Sequence, residues 1–301
     1  MNTFTYFRIE KSTPADFISG SSWFVFHKEL DRYRPGFIVY CDKHALMTSD
    51  GTTTHLIAGN STQYGYREGV GAEARFDDIG GFTQISEKVV VVADSSNHCM
   101  RLVDRTTHNT SVFSGQCASH GYQDGRPGQF YSPHYVVIDK RDNNQLLVTD
   151  YNNRTVRTVD VMSQVVGTVV KSDSFYSIRG ITQDEKRGDL YVTAYHALYR
   201  ITYTQRTVSL ISGSPGRNSG YRDSTLLDSR FDWPYALILI APETLLVADS
   251  WNNKLRLLDM NSDKVITLSV TNSQRTPASL LLTNNSLYVG QHQKITQYKC
   301  E

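Results

Sequence analysis

No stretch of this 301-residue chain stays apolar for the roughly 18 to 20 residues that a membrane-spanning helix requires. That argues against a membrane span. Cysteine is scarce, with only Cys41, Cys99, Cys117 and Cys300, and no two stand in the C-x-x-C spacing of zinc sites. The eight prolines are scattered, and no Pro/Ser/Gly-rich tract or run of like charge marks a linker. One domain over residues 1–301 is therefore expected. A formal net charge of +1 supplies no basic excess of the kind that phosphate-led nucleic-acid binding shows. Met1 to Lys11 lacks a basic start followed by an apolar segment, so a signal peptide is not expected there. There is no Gly-x-Ser-x-Gly elbow and no glycine-rich loop opening a helix, and the nine histidines are dispersed.

What is plentiful is the residue set of a pleated, half-buried surface: Val, Ile, Thr, Phe and 18 Tyr. An apolar run ending in Asp, a short Asn-bearing turn and a returning Arg recur together. Val90-Val91-Val92-Ala93-Asp94 leads through Asn97 to Arg101. Leu147-Val148-Thr149-Asp150 leads through Asn153 to Arg157, and Leu246-Val247-Ala248-Asp249 leads through Asn252 to Arg256. Weaker copies end at Asp42, Ala194 and Gln291. Six such units, each about forty to fifty-five residues and rich in short strands, predict a six-bladed β-propeller of four-stranded antiparallel blades. The blades are expected near 22–59, 80–115, 134–170, 178–213, 235–269 and 278–298. The last unit lacks an outer strand, which residues 3–9 are expected to supply, closing the ring and removing free sheet edges.

A second repeat lies between blades. Gly65-Tyr66-Arg67, Gly121-Tyr122-Gln123 and Gly220-Tyr221-Arg222 each follow an earlier glycine (Gly59, Gly115, Gly213) and precede a phenylalanine (Phe76, Phe130, Phe231). The glycines allow tight turns at positive φ, and the phenylalanines are expected to plug between blades. The Val-Ala-Asp-Ser-x-Asn turn and the Gly-Tyr-x-Asp-Gly loop resemble NHL repeats over residues 36–298. The match is strong in blades 2, 3 and 5 and degenerate in blades 1, 4 and 6. The resemblance implies the fold and leaves function open. NHL propellers often serve as interaction modules, so it also implies a protein or peptide partner.

The repeated Asp, Asn and Arg are read as structural, because a catalytic centre is needed once and these recur. One Asp per blade does not converge as calcium requires. Two surfaces remain as candidate sites. The face that bears the loops joining successive blades and the Asn-bearing turns within them gathers Tyr66, Arg67, Tyr122, Tyr151, Tyr221, Arg222 and Trp251, in a composition that suits protein interfaces. Packing under their own loops is the plainer role for the tyrosines. The channel mouth, aligned from the preceding phenylalanines, offers Gly80, His134, Arg179, Tyr235 and Ala278.

Some propeller lyases similar to NHL proteins hold zinc through histidines at this mouth. Here His134 matches, while Arg179 and Tyr235 do not, and one histidine cannot supply three ligands. Calcium-dependent lactonase-like propellers need carboxylates there, and the aligned ring has none. No catalytic residue, metal or cofactor is therefore assigned. A protein- or peptide-binding module, as part of a larger or secreted protein, is the leading reading. A metal-dependent lyase or hydrolase at the channel mouth is the alternative, and an RNA-binding NHL domain is third. The four cysteines allow two disulfides in any of three pairings, or four thiols. Sequons at Asn60, Asn109 and Asn284 are glycosylation candidates, whereas Asn153 sits in a tight turn. Sequons and an even cysteine count point to an extracellular or secretory setting, with a cytoplasmic one as alternative.

Overall fold

The computed structural model describes residues 15–24, 28–30, 36–216, 218–269, 276–283 and 286–299. Six antiparallel sheets make a six-bladed β-propeller with almost no helix among these residues. Blade 3 shows the plan: Pro133–Ile138, Gln145–Asp150, Thr155–Asp160 and Val166–Lys171 lie in sequence order from the inside outward. We label these strands A to D. Strand B is wholly apolar at its centre (Leu146, Leu147 and Val148 are buried) because both faces meet neighbouring blades. Blade 2 adds a fifth edge strand, Gly69–Val70, from its leading loop.

Blade 6 is built across the chain ends. Ser286–Lys299 is one extended run, yet Gln297 Nε2 donates to Ser286 Oγ at 2.9 Å. Eleven residues of straight strand would hold those two roughly 36 Å apart, so the run folds back near residues 292–293. Its first half pairs with Ser279–Leu282 and its second half with Ala15–Phe24. An N-terminal strand thus completes the blade and closes the ring. Residues 3–9 lie outside the described residues, and the strand seen in the closing position is Ala15–Phe24.

The core is a chain of layers between blades rather than one central mass. Val91, Phe113, Phe130 and Val148 join blades 2 and 3, and Tyr191, Phe231, Leu237 and Val247 join blades 4 and 5. Tyr40 meets Ile295 across the closure. Each plugging phenylalanine is fully buried and sits against a glycine at the end of the preceding strand D. A methyl group on Gly59, Gly115 or Gly213 would lie 2.9, 2.9 or 3.1 Å from the ring of Phe76, Phe130 or Phe231. Those three glycines have φ of 97°, 91° and 86°. At Gly115 the phenylalanine is the nearest obstacle, whereas at Gly59 and Gly213 the His44 and His196 carbonyl oxygens lie nearer still, at 2.3 and 2.5 Å, so backbone and ring together fill the space where another residue would carry Cβ.

Blades differ in the B-to-C turn. Blades 2, 3 and 5 use four residues between Asp and the returning strand, whereas blades 1 and 4 use two, Lys43-His44 and Tyr195-His196. The degenerate copies are thus shorter hairpins in which Met47 and Tyr199 take the place of the arginine opposite strand B.

Candidate functional site

The repeated polar residues form three closed networks. Arg101, Arg157 and Arg256 have no exposed surface and pair with Asp94, Asp150 and Asp249 at 3.0, 2.9 and 2.8 Å. The same carboxylates accept the backbone N–H of Asp77, Tyr131 and Asp232, each at 2.8 Å. Asn97, Asn153 and Asn252 donate to the Asp and also to the carbonyls of Gly65, Gly121 and Gly220 at 2.7–2.8 Å. One turn thereby holds both ends of the Gly-Tyr loop. Asn153 Nδ2, the atom a glycan would need, is committed twice.

Burial pushes the three Asp carboxyls up to about 6, against the pull of the Asn amide, the backbone N–H and the guanidinium. Asp124 and Asp223 add second carboxylates to Arg157 and Arg256. In blade 2 the longer Glu68 instead accepts from the backbone of Val112, and Arg101 Nε is buried without an acceptor.

The loop tyrosines divide from the rest of the face. Tyr66, Tyr122 and Tyr221 lie over the buried guanidiniums, 5.0, 4.9 and 5.1 Å from ring centre to carbon. Tyr122 and Tyr221 also bond through their hydroxyls to Thr168 and Thr267. They are lids on the Arg–Asp networks that keep about half their surface exposed. Arg67 and Arg222 lend their carbonyls to the same networks and leave their side chains exposed.

The other two expected residues, Tyr151 and Trp251, face inward toward the channel mouth. There the structure brings together the three residues aligned from sequence. Arg179 Nη1 meets His134 Nε2 at 2.8 Å, and the guanidinium lies 4.2 Å from the Tyr235 ring centre, 4.9 Å from Tyr151 and 5.6 Å from Trp233. Since Arg cannot accept, that nitrogen of His134 carries the lone pair. Further aromatics extend the surface. Trp233 meets Trp251 and Tyr195, Tyr195 meets Tyr176, and Tyr131 stacks on His120 at 4.5 Å. Tyr131, Tyr176 and Trp251 are exposed. Sequence alignment missed Tyr131 and Trp233. Both stand one or two places before the proline that opens strand A (Pro133, Pro234), and that proximity was the available signal.

A latch joins successive blades beneath this surface. Nδ1 of His44, His98 and His196 accepts the backbone N–H of Asp78, Ser132 and Trp233, at 3.0, 3.2 and 3.2 Å. Each donor residue has φ between 46° and 59° and immediately precedes a strand A. Asn253 Oδ1 does the same for Thr276 in blade 5. Burial, then Lys43, lowers the pKa of His44, while Asp77 at 3.9 Å raises it less. A folded value below the unfolded one means stability is complete above the unfolded pKa near 6.5 and falls as pH drops through the folded value. The buried Asp94, Asp150 and Asp249 act with the opposite sign, losing stability as pH rises from their ordinary 3.8 toward about 6. Comparison of variants separates the two effects. His44→Asn, which copies the blade 5 latch, should lose less stability than the parent between pH 6.5 and 5 in urea titrations. Equal losses would show that His44 does not titrate against the fold.

The described residues contain no group of three His, Cys, Asp or Glu side chains placed to hold a metal ion. Cys99 and Cys117 form a disulfide that ties the end of the blade 2 turn to the loop leading into blade 3. Cys41 is buried, and Cys300 lies outside the described residues. Of the sequons, Asn109 is exposed, Asn60 is partly exposed, and Asn284 lies outside the described residues. No helix among the described residues is long and apolar enough to cross a membrane.

No protein-family model matches the chain. NHL repeat-containing protein 2 of Bos taurus is 30% identical over 129 residues, covering 39% of this chain and 17% of that protein. The six-bladed ring and the Asp–Asn–Arg turns of blades 2, 3 and 5 agree with that similarity. The chain is an NHL-type β-propeller. This NHL-type propeller spans less than a fifth of the curated relatives it matches. An auxiliary nutrient binding protein from Bacteroides thetaiotaomicron superposes with a TM-score of 0.70 at 11% identity, over 94% of this chain and 70% of that one. A catalytically inactive virginiamycin B lyase from Staphylococcus aureus gives 0.61 at 11% identity, over 95% and 98%. At such identities the likeness is one of fold.

Proposed function

We propose that this propeller is a binding module that docks a protein or peptide across its loop face. The observation that carries this reading is the aromatic arc around the mouth, from Tyr131 through Tyr151, Tyr176, Tyr195 and Trp233 to Trp251, with Arg179 at its centre. Exposed aromatics and arginine are the residues that anchor interfaces, because they bury large area at small entropic cost. The rigid blades hold these side chains in place before a ligand arrives, which lowers the cost of ordering on binding. The Cys99–Cys117 disulfide and the exposed sequon at Asn109 support an extracellular or secretory setting for that partner.

A peptide selected against the immobilised protein from a random display library tests the reading. Trp251→Ala combined with Tyr131→Ala should weaken it by about 2 kcal/mol or more, roughly thirtyfold. Lys140→Glu, on the opposite face beside Glu185, should leave it unchanged. Loss with Lys140→Glu and none with the aromatic pair would move the site to the other face.

A further inference from the structure

Arg179 differs from the other enclosed arginines in having no carboxylate. Arg101, Arg157 and Arg256 each meet an Asp within 3.0 Å. Among the described residues no carboxylate oxygen lies within 4.0 Å of the Arg179 guanidinium. Its Nη1 donates to a neutral nitrogen of His134, and among the described residues its buried Nε meets no acceptor and its less enclosed Nη2 makes no hydrogen bond. The faces of Tyr151, Trp233 and Tyr235 stabilise the positive charge but accept none of these N–H groups in the plane where a guanidinium donates. Asp78 stands farther off than any ion pair: burial raises its carboxyl, and the nearby Arg179 guanidinium pulls it down less. A planar, permanently charged donor set walled by aromatic rings is complementary to a carboxylate attached to an apolar or aromatic group.

We propose that the channel mouth is a carboxylate subsite: a ligand carboxylate pairs with Arg179 on its Nη2 side, and the group bearing it stacks among Tyr151, Trp233 and Tyr235. The proposal rests on the loop-face reading, in that the carboxylate belongs to the docked peptide as its C-terminus or as an acidic side chain. Phosphate esters fit less well, because the subsite offers one guanidinium and aromatic walls rather than clustered cations.

Three probes test this on the whole protein, read by quenching of tryptophan fluorescence, since Trp233 lines the subsite. N-acetyl-phenylalanine carries a terminal carboxylate, N-acetyl-aspartyl-phenylalaninamide a side-chain carboxylate, and N-acetyl-phenylalaninamide neither. At least one acid should bind saturably and at least tenfold tighter than the neutral amide, and the acid preferred identifies the source of the carboxylate. Arg179→Gln should abolish the preference, and Arg179→Lys should weaken binding while retaining it. An amide that binds as tightly as both acids, or no saturable response to either acid at about 10 mM, overturns the subsite even if Arg179→Gln fails to fold. Should the selected peptide still depend on Trp251 and Tyr131 in that event, the docking face stands and the carboxylate subsite alone fails.

Discussion

Replacing Arg157 with methionine is expected to destabilise the propeller by about 3–5 kcal/mol, the range for removing one partner of a buried ion pair. The side chain has no exposed surface and makes five hydrogen bonds: to Asp150 at 2.9 Å, to Asp124 at 2.7 Å, and to the carbonyls of Gln129, Gln123 and Gly167 at 3.0, 2.9 and 3.3 Å. Methionine fills similar space but leaves Asp150 enclosed without its counter-charge. It also frees both sides of the loop that Arg157 pins. Asp124→Ala removes only the half-exposed member of the network and should cost about 1 kcal/mol or less. Urea midpoints at unchanged slope measure both. A loss below about 1 kcal/mol for Arg157→Met would mean that the network is not structural, and that its repetition around the ring needs another explanation.

Gly115→Ala should be comparably severe for a one-carbon change. The residue sits at φ 91°, where an L-residue with Cβ pays about 1–2 kcal/mol. The new methyl would also lie 2.9 Å from the Phe130 ring and 3.3 Å from the backbone of Cys99. Phe130 is enclosed between blades 2 and 3 and cannot withdraw without opening a cavity. The combined loss should exceed about 3 kcal/mol. The two contributions can be separated. In a Phe130→Leu background the steric part should shrink, leaving the backbone part, so the double variant should be less destabilised than the sum of the singles. Strict additivity in thermal or urea unfolding would show that the glycine is required by its turn alone and not by the phenylalanine.

The fold was readable because its signals are local and repeated. Asp94 to Arg101, Asp150 to Arg157 and Asp249 to Arg256 each span one hairpin, so partners only seven positions apart in sequence meet. The closing strand was less legible. Ala15–Phe24 contains Gly20-Ser21-Ser22, poor strand formers, and its pairing with the last blade shifts register between Ser19 and Phe24. The open edge of blade 6, not local propensity, sets that pairing. The hairpin inside Ser286–Lys299 was legible as two strands, since Gln291 stands where blades 1, 2, 3 and 5 place Asp.

Sequence left the disulfide open among three pairings, because Cys117 reaches Cys99 only when the loop after Gly115 folds back over the turn of blade 2. At the mouth, counting from Phe130 and Phe231 located His134 and Tyr235. The convergence on Arg179 could not be read, since it unites residues from three blades whose angular positions exist only once the ring has closed. The two roles of the loop face were likewise indistinguishable in sequence. Tyr122 and Tyr151 are both tyrosines beside glycine- or asparagine-rich turns. One covers a buried guanidinium, and the other meets the half-buried one at the mouth.

The central claim is that one face, the aromatic arc with its arginine, is where this propeller binds. Backbone amide chemical-shift mapping with the library-selected peptide tests it most directly. The shifted amides should cluster at Tyr131, Tyr151, Tyr176, Tyr195, Trp233 and Trp251. A cluster at Lys140, Glu185, Arg187 and Ala241, which line the cleft on the opposite face, would contradict it.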